Sequence, residues 1–389
     1  MTEIVLNTNT LPEPLSRPIN ADKAKVSDIP ALDETQGDSP LHYAEEAKSS
    51  STIPGPADEQ EIREVSGFCL FGAKALAALL NKLSDQEEGV RGFEAGKECG
   101  GSSGDVEYLH RMRVFARRIL VALPLFQECL CADKSEFRRW RRAVRRLARS
   151  LGEARDTDVQ IAAIIRELEE MSSKDTAGLK RLLLRLRQKR AAMQKNVVRA
   201  LDRFAESDAE GEVMSRIRLI VGQAFMEELD AKSREQYPGE HMALTAVKER
   251  IAQVMSFGVP LPASLDTVQL HEMRKSLKRL RYTLEIFAPV YGDKLKNHVG
   301  RIKSLQDILG ALHDCDVWLA NLPVFIEEER GKTLAYQGHA RGLGRVLRGL
   351  QDFADVKTQT RKDAYASFTE LWEKFCNERW WEGILKELK

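Results

Sequence analysis

Histidine, arginine and lysine recur at helical spacing in two stretches of this chain. His110, Arg113 and Arg117 make the first set; His271, Arg274, Lys278 and Arg281 make the second. Residues three or four apart share one face of a helix. Such a face offers fixed positive charge, several N–H donors and an imidazole that titrates near neutrality, a set suited to phosphate oxygens. A solvated face ordinarily alternates signs to gain i,i+4 pairs, whereas these faces stack like charges at a small cost that an anion offsets. Zinc is the competing use of two histidines. It wants acidic or cysteine partners on the same face, and arginines stand there instead. Arg113 and Arg274, one turn away, also predict that both imidazoles stay neutral until an anion arrives.

The helices that carry these faces are near copies of one another. Leu109–Phe126 (LHRMRVFARRILVALPLF) and Leu270–Phe287 (LHEMRKSLKRLRYTLEIF) lie 161 residues apart. Each has an apolar stripe, Met112, Ala116, Ile119, Leu123 and Phe126 in one and Met273, Leu277, Leu280, Leu284 and Phe287 in the other. A second echo follows each copy, LGEARDTDV at Leu151–Val159 and LGALHDCDV at Leu309–Val317. Motifs repeated in the same order point to an internal duplication. Asp156, Asp158, Asp314 and Asp316 are read as helix N-caps that also orient stripe arginines, in preference to acid–base catalysts.

The most basic segment, Lys134–Leu151, holds seven arginines, of which Arg138, Arg142, Arg145 and Arg149 share a face. From Leu109 to Arg155 thirteen bases face four acids, an electrostatic footprint for a polyanion. Lys303 stands where Arg145 stands in the first half. Charge alone suggests nucleic acid, yet only Trp140 and Tyr282 are available to stack bases, and neither a Walker loop nor a dinucleotide fingerprint occurs.

The chain has 389 residues, 43% hydrophobic and 31% charged, with a net charge of +1 that hides segregation. Residues 1–60 hold eleven acids, four bases and seven of the thirteen prolines, and read as a disordered acidic leader. The first residues lack the basic start and apolar centre of a signal peptide, and the most apolar run, Gly67–Leu80, is too short to span a membrane. Six scattered cysteines suggest reduced thiols in a cytoplasmic setting, with Cys129 and Cys131 in helix packing. Helices are expected at Glu64–Leu83, from Asp105, and at Lys134–Leu151, Thr157–Met171, Asp175–Phe204 and Gly211–Glu235. Asp85–Gly104 reads as a mobile loop, Gln236–Gly239 as a turn and Phe257–Leu265 as a linker. Asp266–Phe287, Lys294–Leu309, Asp314–Arg330, a Lys332–Phe375 region with breaks and Asn377–Leu388 complete the second half. With no alternating β-branched runs, the fold class is all-α: two pseudo-symmetric helical bundles, about 61–256 and 265–389, around a basic groove.

The paired motifs, each followed by LG-xx-[RH]-D-x-D-V, resemble the conserved histidine α-helical domain (CHAD) family over most of residues 65–389. That resemblance implies two helical bundles meeting around a basic channel, binding of inorganic polyphosphate, and a cytoplasmic location at polyphosphate granules. It carries over to His110, Arg113, Arg117, His271, Arg274, Lys278, Arg281, Tyr282 and Lys303. The first copy departs from the pattern at Leu120, where the second has Arg281. Arg118 and Arg279 match but project off the stripe. Many relatives carry a triphosphate-processing domain with an ExExK strand. Glu59–Arg63 resembles it only by chance, which leaves a stand-alone binding module without catalytic residues, metal or cofactor. The alternatives are an enzyme acting on polyphosphate through metal-holding aspartates, and a nucleic-acid scaffold. Expected partners are polyphosphate itself and enzymes or proteins of the granule, with nucleic acid a weak competitor and no membrane.

Overall fold

A computed structural model describes residues 56–93, 104–170, 176–226, 240–258 and 265–388. Helices account for nearly all of them, and no strand occurs among the described residues. In chain order they are α1 (Pro56–Ser84), α2 (Glu87–Arg91), α3 (Gly104–Leu125), α4 (Lys134–Glu170), α5 (Ala177–Glu206), α6 (Ala209–Met226), α7 (Glu240–Met255), α8 (Thr267–Tyr291), α9 (Lys296–Gln337), α10 (Gly344–Asn377) and α11 (Trp380–Glu387).

The two copied stretches form α3 and α8, and all ten predicted stripe residues are buried. Asp266 starts α8 with a reciprocal capping box to Gln269. α1 packs on α3, and α7 packs on α8. The copies meet at their C-terminal ends. There Phe126 and Phe287 lie 6.3 Å apart edge to face, and Phe68 and Phe71 of α1 touch both rings. Gly72 permits this approach, since a Cβ would fall 2.3 Å from the Phe126 ring.

Four boundaries differ from expectation. α1 begins at Pro56, so the leader's expected end at 60 falls inside a helix, as does Glu59–Arg63; residues 1–55 lie outside the described residues. The expected loop at 85–104 contains α2, because Val90 is fully buried and Arg91 pairs with Glu87 and Asp202; 94–103 lie outside the described residues, as do 227–239, with the expected turn, and 259–264 of the linker. α7 packs on α8 and α11 and so belongs with the second half, not the first.

The fourth difference matters most for the site. The expected breaks before Asp156 and Asp314 do not occur, because α4 and α9 run unbroken for 37 and 42 residues. The aspartates are therefore mid-helix and cap nothing. Tertiary partners hold them: Arg190 of α5 meets Asp158 at 2.7 Å, both buried, and Arg361 of α10 meets Asp316. Charge pairing replaces capping at each.

Two apolar clusters bracket these aspartates. The main core takes α4 residues up to Ala154 and α9 residues up to Leu312. A second cluster starts at Ile161 on α4 and Trp318 on α9, and joins Leu179, Leu182 and Leu186 of α5 to Leu350 and Phe353 of α10. Gly178 lets α5 approach α10 there, since a Cβ would meet the Val346 carbonyl at 2.5 Å. Glu329 of α9 ties the same region, taking hydrogen bonds of 2.6 Å from both Arg181 and Arg185. Burial raises its pKa, but the two arginines outweigh that and hold it down to about 2. This depressed pKa contributes stability above the ordinary glutamate range, lost as pH falls toward 2. Glu329→Leu is expected to cost about 2 kcal/mol in chemical denaturation at pH 7, less than a fully buried pair because both arginines can turn to water. An unchanged midpoint would deny the contact any structural weight.

Cys69 of α1 and Cys129 form a disulfide, against the expectation of reduced thiols with Cys129 as helix packing. Sixty residues separate them, and only the packing of α1 on the turn after α3 brings them together. Cys131, Cys315 and Cys376 are free. No helix is long and apolar enough to cross a membrane among the described residues.

Candidate functional site

Between the two apolar clusters, α3, α4, α8 and α9 bring the cationic faces together. Each stripe arginine lies on the glycine of the following LG motif: a Cβ on Gly152 would lie 3.6 Å from Arg113 Nε, and one on Gly310 3.7 Å from Arg274 Nη2. The aspartate four residues beyond each glycine faces the same guanidinium. Asp156 accepts a 2.8 Å hydrogen bond from Arg113 Nη1, and Asp314 lies within electrostatic reach of Arg274. Orientation of a stripe arginine is thus seen at Asp156, whereas Asp314 makes no such bond and none of these aspartates caps a helix.

The two copies address one another directly. Arg274 is influenced by Arg117, Asp156 and Arg113 of the first half. Lys278 is held well below its ordinary pKa by burial first, then by Arg274, Arg117, Arg113 and Arg281. Neither Arg274 nor Lys278 makes a hydrogen bond or ion pair with a described residue, and Arg274 Nε and His271 Nδ1 are buried without a hydrogen-bond partner. Arg118 spans the helix pair to Glu285 at 2.6 Å, as its off-stripe direction implied. Arg281 lies 3.5 Å from the same carboxylate and 5.1 Å over Tyr282. Tyr282 is buried, so its ring is a shelf for Arg281 and Arg118 more than a ligand contact.

Both histidines titrate low, as their arginine neighbours predict, though burial is the larger cause. For His110 the next cause is Arg155; for His271 it is Lys275. The His271 ring lies 4.9 Å from that of His313 at a tilt of 38°, and burial, Arg274, His271 and Lys278 push the His313 pKa down to about 4. Arg155 and His313, outside the two stripes, both fill the place before the first aspartate of LG-xx-[RH]-D, and that repeated basic position is their signal in the sequence. Burial also raises the Asp314 carboxyl, although that residue remains solvent-exposed.

The arginine-rich face divides. Arg145 and Lys303 lie seven residues before Gly152 and Gly310, two turns along the same face of α4 and α9; Arg145 is half-buried and Lys303 exposed. Arg138 and Arg142 are exposed, the former with Nε on the Lys134 carbonyl. Arg149 instead lines a cleft against α5.

The family model for the CHAD domain matches residues 74–323. This chain belongs to the CHAD family. The crystal structure of the CHAD domain from the plant Ricinus communis is similar in fold, with a TM-score of 0.51, 22% identity, 73% of this chain covered and 91% of that one. Among curated proteins, none matches the chain. The matched span of this CHAD domain contains both cationic helices and both LG motifs, and ends within α9.

Proposed function

We propose that this CHAD-domain protein binds inorganic polyphosphate in the groove between α3 and α8, without catalysing its turnover. CHAD domains are in general associated with polyphosphate binding, and one observation carries the reading to this site. Lys278 stands half-buried among Arg113, Arg117, Arg274 and Arg281, contributed by both copies, with no acid among the described residues paired to it. Like charges held this way oppose folding, and a chain of closely spaced anions is the ligand that best neutralises them. His110, His271 and His313 add N–H donors, and Arg145, Lys303, Arg138 and Arg142 extend the basic face along α4 and α9. Association with polyphosphate granules follows from the same affinity.

The lining offers cations and imidazoles, and with Tyr282 buried no described residue of it stacks a base. At one fixed salt concentration polyphosphate is therefore expected to displace single-stranded DNA of equal charge with a large excess of affinity. Its own affinity should fall steeply with salt, each neutralised phosphate adding roughly 0.7–0.9 to the log–log slope by analogy with nucleic acids. Equal competition by DNA would favour a nucleic-acid scaffold. Phosphate release with magnesium would favour an enzyme.

A further inference from the structure

The fate of Arg149 points to a second site. It lines a cleft of about 400 Å³ between α4 and α5, together with Arg146, Arg199 and Arg203. All four arginines are exposed, and none makes a hydrogen bond or ion pair with a described residue. Arg146 and Arg149 are one turn apart on α4, Arg199 and Arg203 one turn apart on α5, so like charges repel both along and across the helices. Such spacing is unfavourable without a counter-charge. Glu153 is the one acid of the lining, and the Ser150 hydroxyl and Asn196 amide supply neutral polar groups. The cleft offers no exposed ring, since Phe204 is buried in its floor.

We propose that this cleft is a second phosphoanion site, sized for a short run of linked phosphates and recognising charge without bases. The proposal rests on the polyphosphate reading of the central groove in one respect: a long chain held there could extend into the cleft, whereas tripolyphosphate would occupy each site separately. Four guanidinium groups from two antiparallel helices grip successive phosphates in a fork geometry that lysines would not reproduce.

The test is titration calorimetry of the full chain with tripolyphosphate and with long-chain polyphosphate at one ionic strength. Wild type is expected to bind two tripolyphosphates. Reversal of the cleft charge (Arg199→Glu with Arg203→Glu) should leave one, and weaken long-chain polyphosphate about tenfold or more. Both positions are exposed, and an unchanged thermal midpoint would show that the fold survives. Glu153→Gln should act oppositely and tighten the second tripolyphosphate. Arg274→Ala should remove the other tripolyphosphate, so a silent Arg274→Ala beside an effective cleft reversal would overturn the central reading alone. Unchanged stoichiometry and affinity after the cleft reversal would overturn this one. Single-stranded DNA displacing tripolyphosphate from the cleft as well as polyphosphate does would overturn the choice of ligand.

Discussion

Replacing Arg274 and Lys278 together by alanine is expected to lower polyphosphate affinity by about 100-fold or more while the unfolding midpoint holds or rises. Each side chain donates charged hydrogen bonds to phosphate, and about 1.5–3 kcal/mol is lost with each such donor. Two donors then correspond to roughly 10²–10⁴ in Kd. Stability should move the other way. Burial and four neighbouring arginines press Lys278 toward its neutral form, so the folded protein is disfavoured by charging it. Truncation removes that repulsion, and the expected gain distinguishes a ligand-binding cation from one that packs the core. The paired change of Arg113 and Arg117 to alanine should match the loss of affinity with a smaller gain in stability, because Arg113 also pairs with Asp156. Calorimetric titration beside thermal unfolding reads both. Full affinity in either folded double variant would sink the idea of one groove shared by both copies.

The second large effect is on pH. His313 titrates near 4 in the folded protein, against about 6.5 when unfolded. Between those values the unfolded chain binds a proton that the folded one refuses, so stability falls as pH drops through that window. The loss is on the order of 3 kcal/mol for His313. His110 and His271 are depressed too and add to it in the same direction. Polyphosphate reverses the local sign: anionic oxygens favour imidazolium and ammonium and raise these pKa values. Binding should then tighten from pH 8 to pH 6 with proton uptake, visible as a heat that varies with the buffer's ionisation enthalpy. Changing His110, His271 and His313 to Gln should flatten both profiles and leave much of the affinity in place. Equal affinity at both pH values without uptake would reduce the histidines to neutral donors, leaving the arginines and Lys278 to carry the site.

The cationic stripes were legible because a helix places every third or fourth residue on one face whatever surrounds it. Their apolar counterparts were legible for the same reason, and all ten are buried. The aspartates show where such reasoning stops. An Asp after glycine reads locally as a cap, and nothing nearby in sequence reveals Arg190, 32 residues beyond Asp158, or Arg361, 45 beyond Asp316. Those partners satisfy the carboxylates inside a continuous helix, which removes the need for an end. Arg149 lies apart from Arg145 for a related reason: its angle on α4 is a local property, but α5 decides which surface that angle faces.

Sequence by itself determined the all-α class and the two basic helices, because periodicity and charge are local properties. Tertiary structure alone decided that the stripes of α3 and α8 come within electrostatic reach of one another. It also decided that Asp156 aims Arg113 while Asp158 and Asp316 anchor neighbouring helices, and that Cys69 reaches Cys129. Each of these depends on residues far apart in the chain, whose distances are set by how the two apolar clusters close.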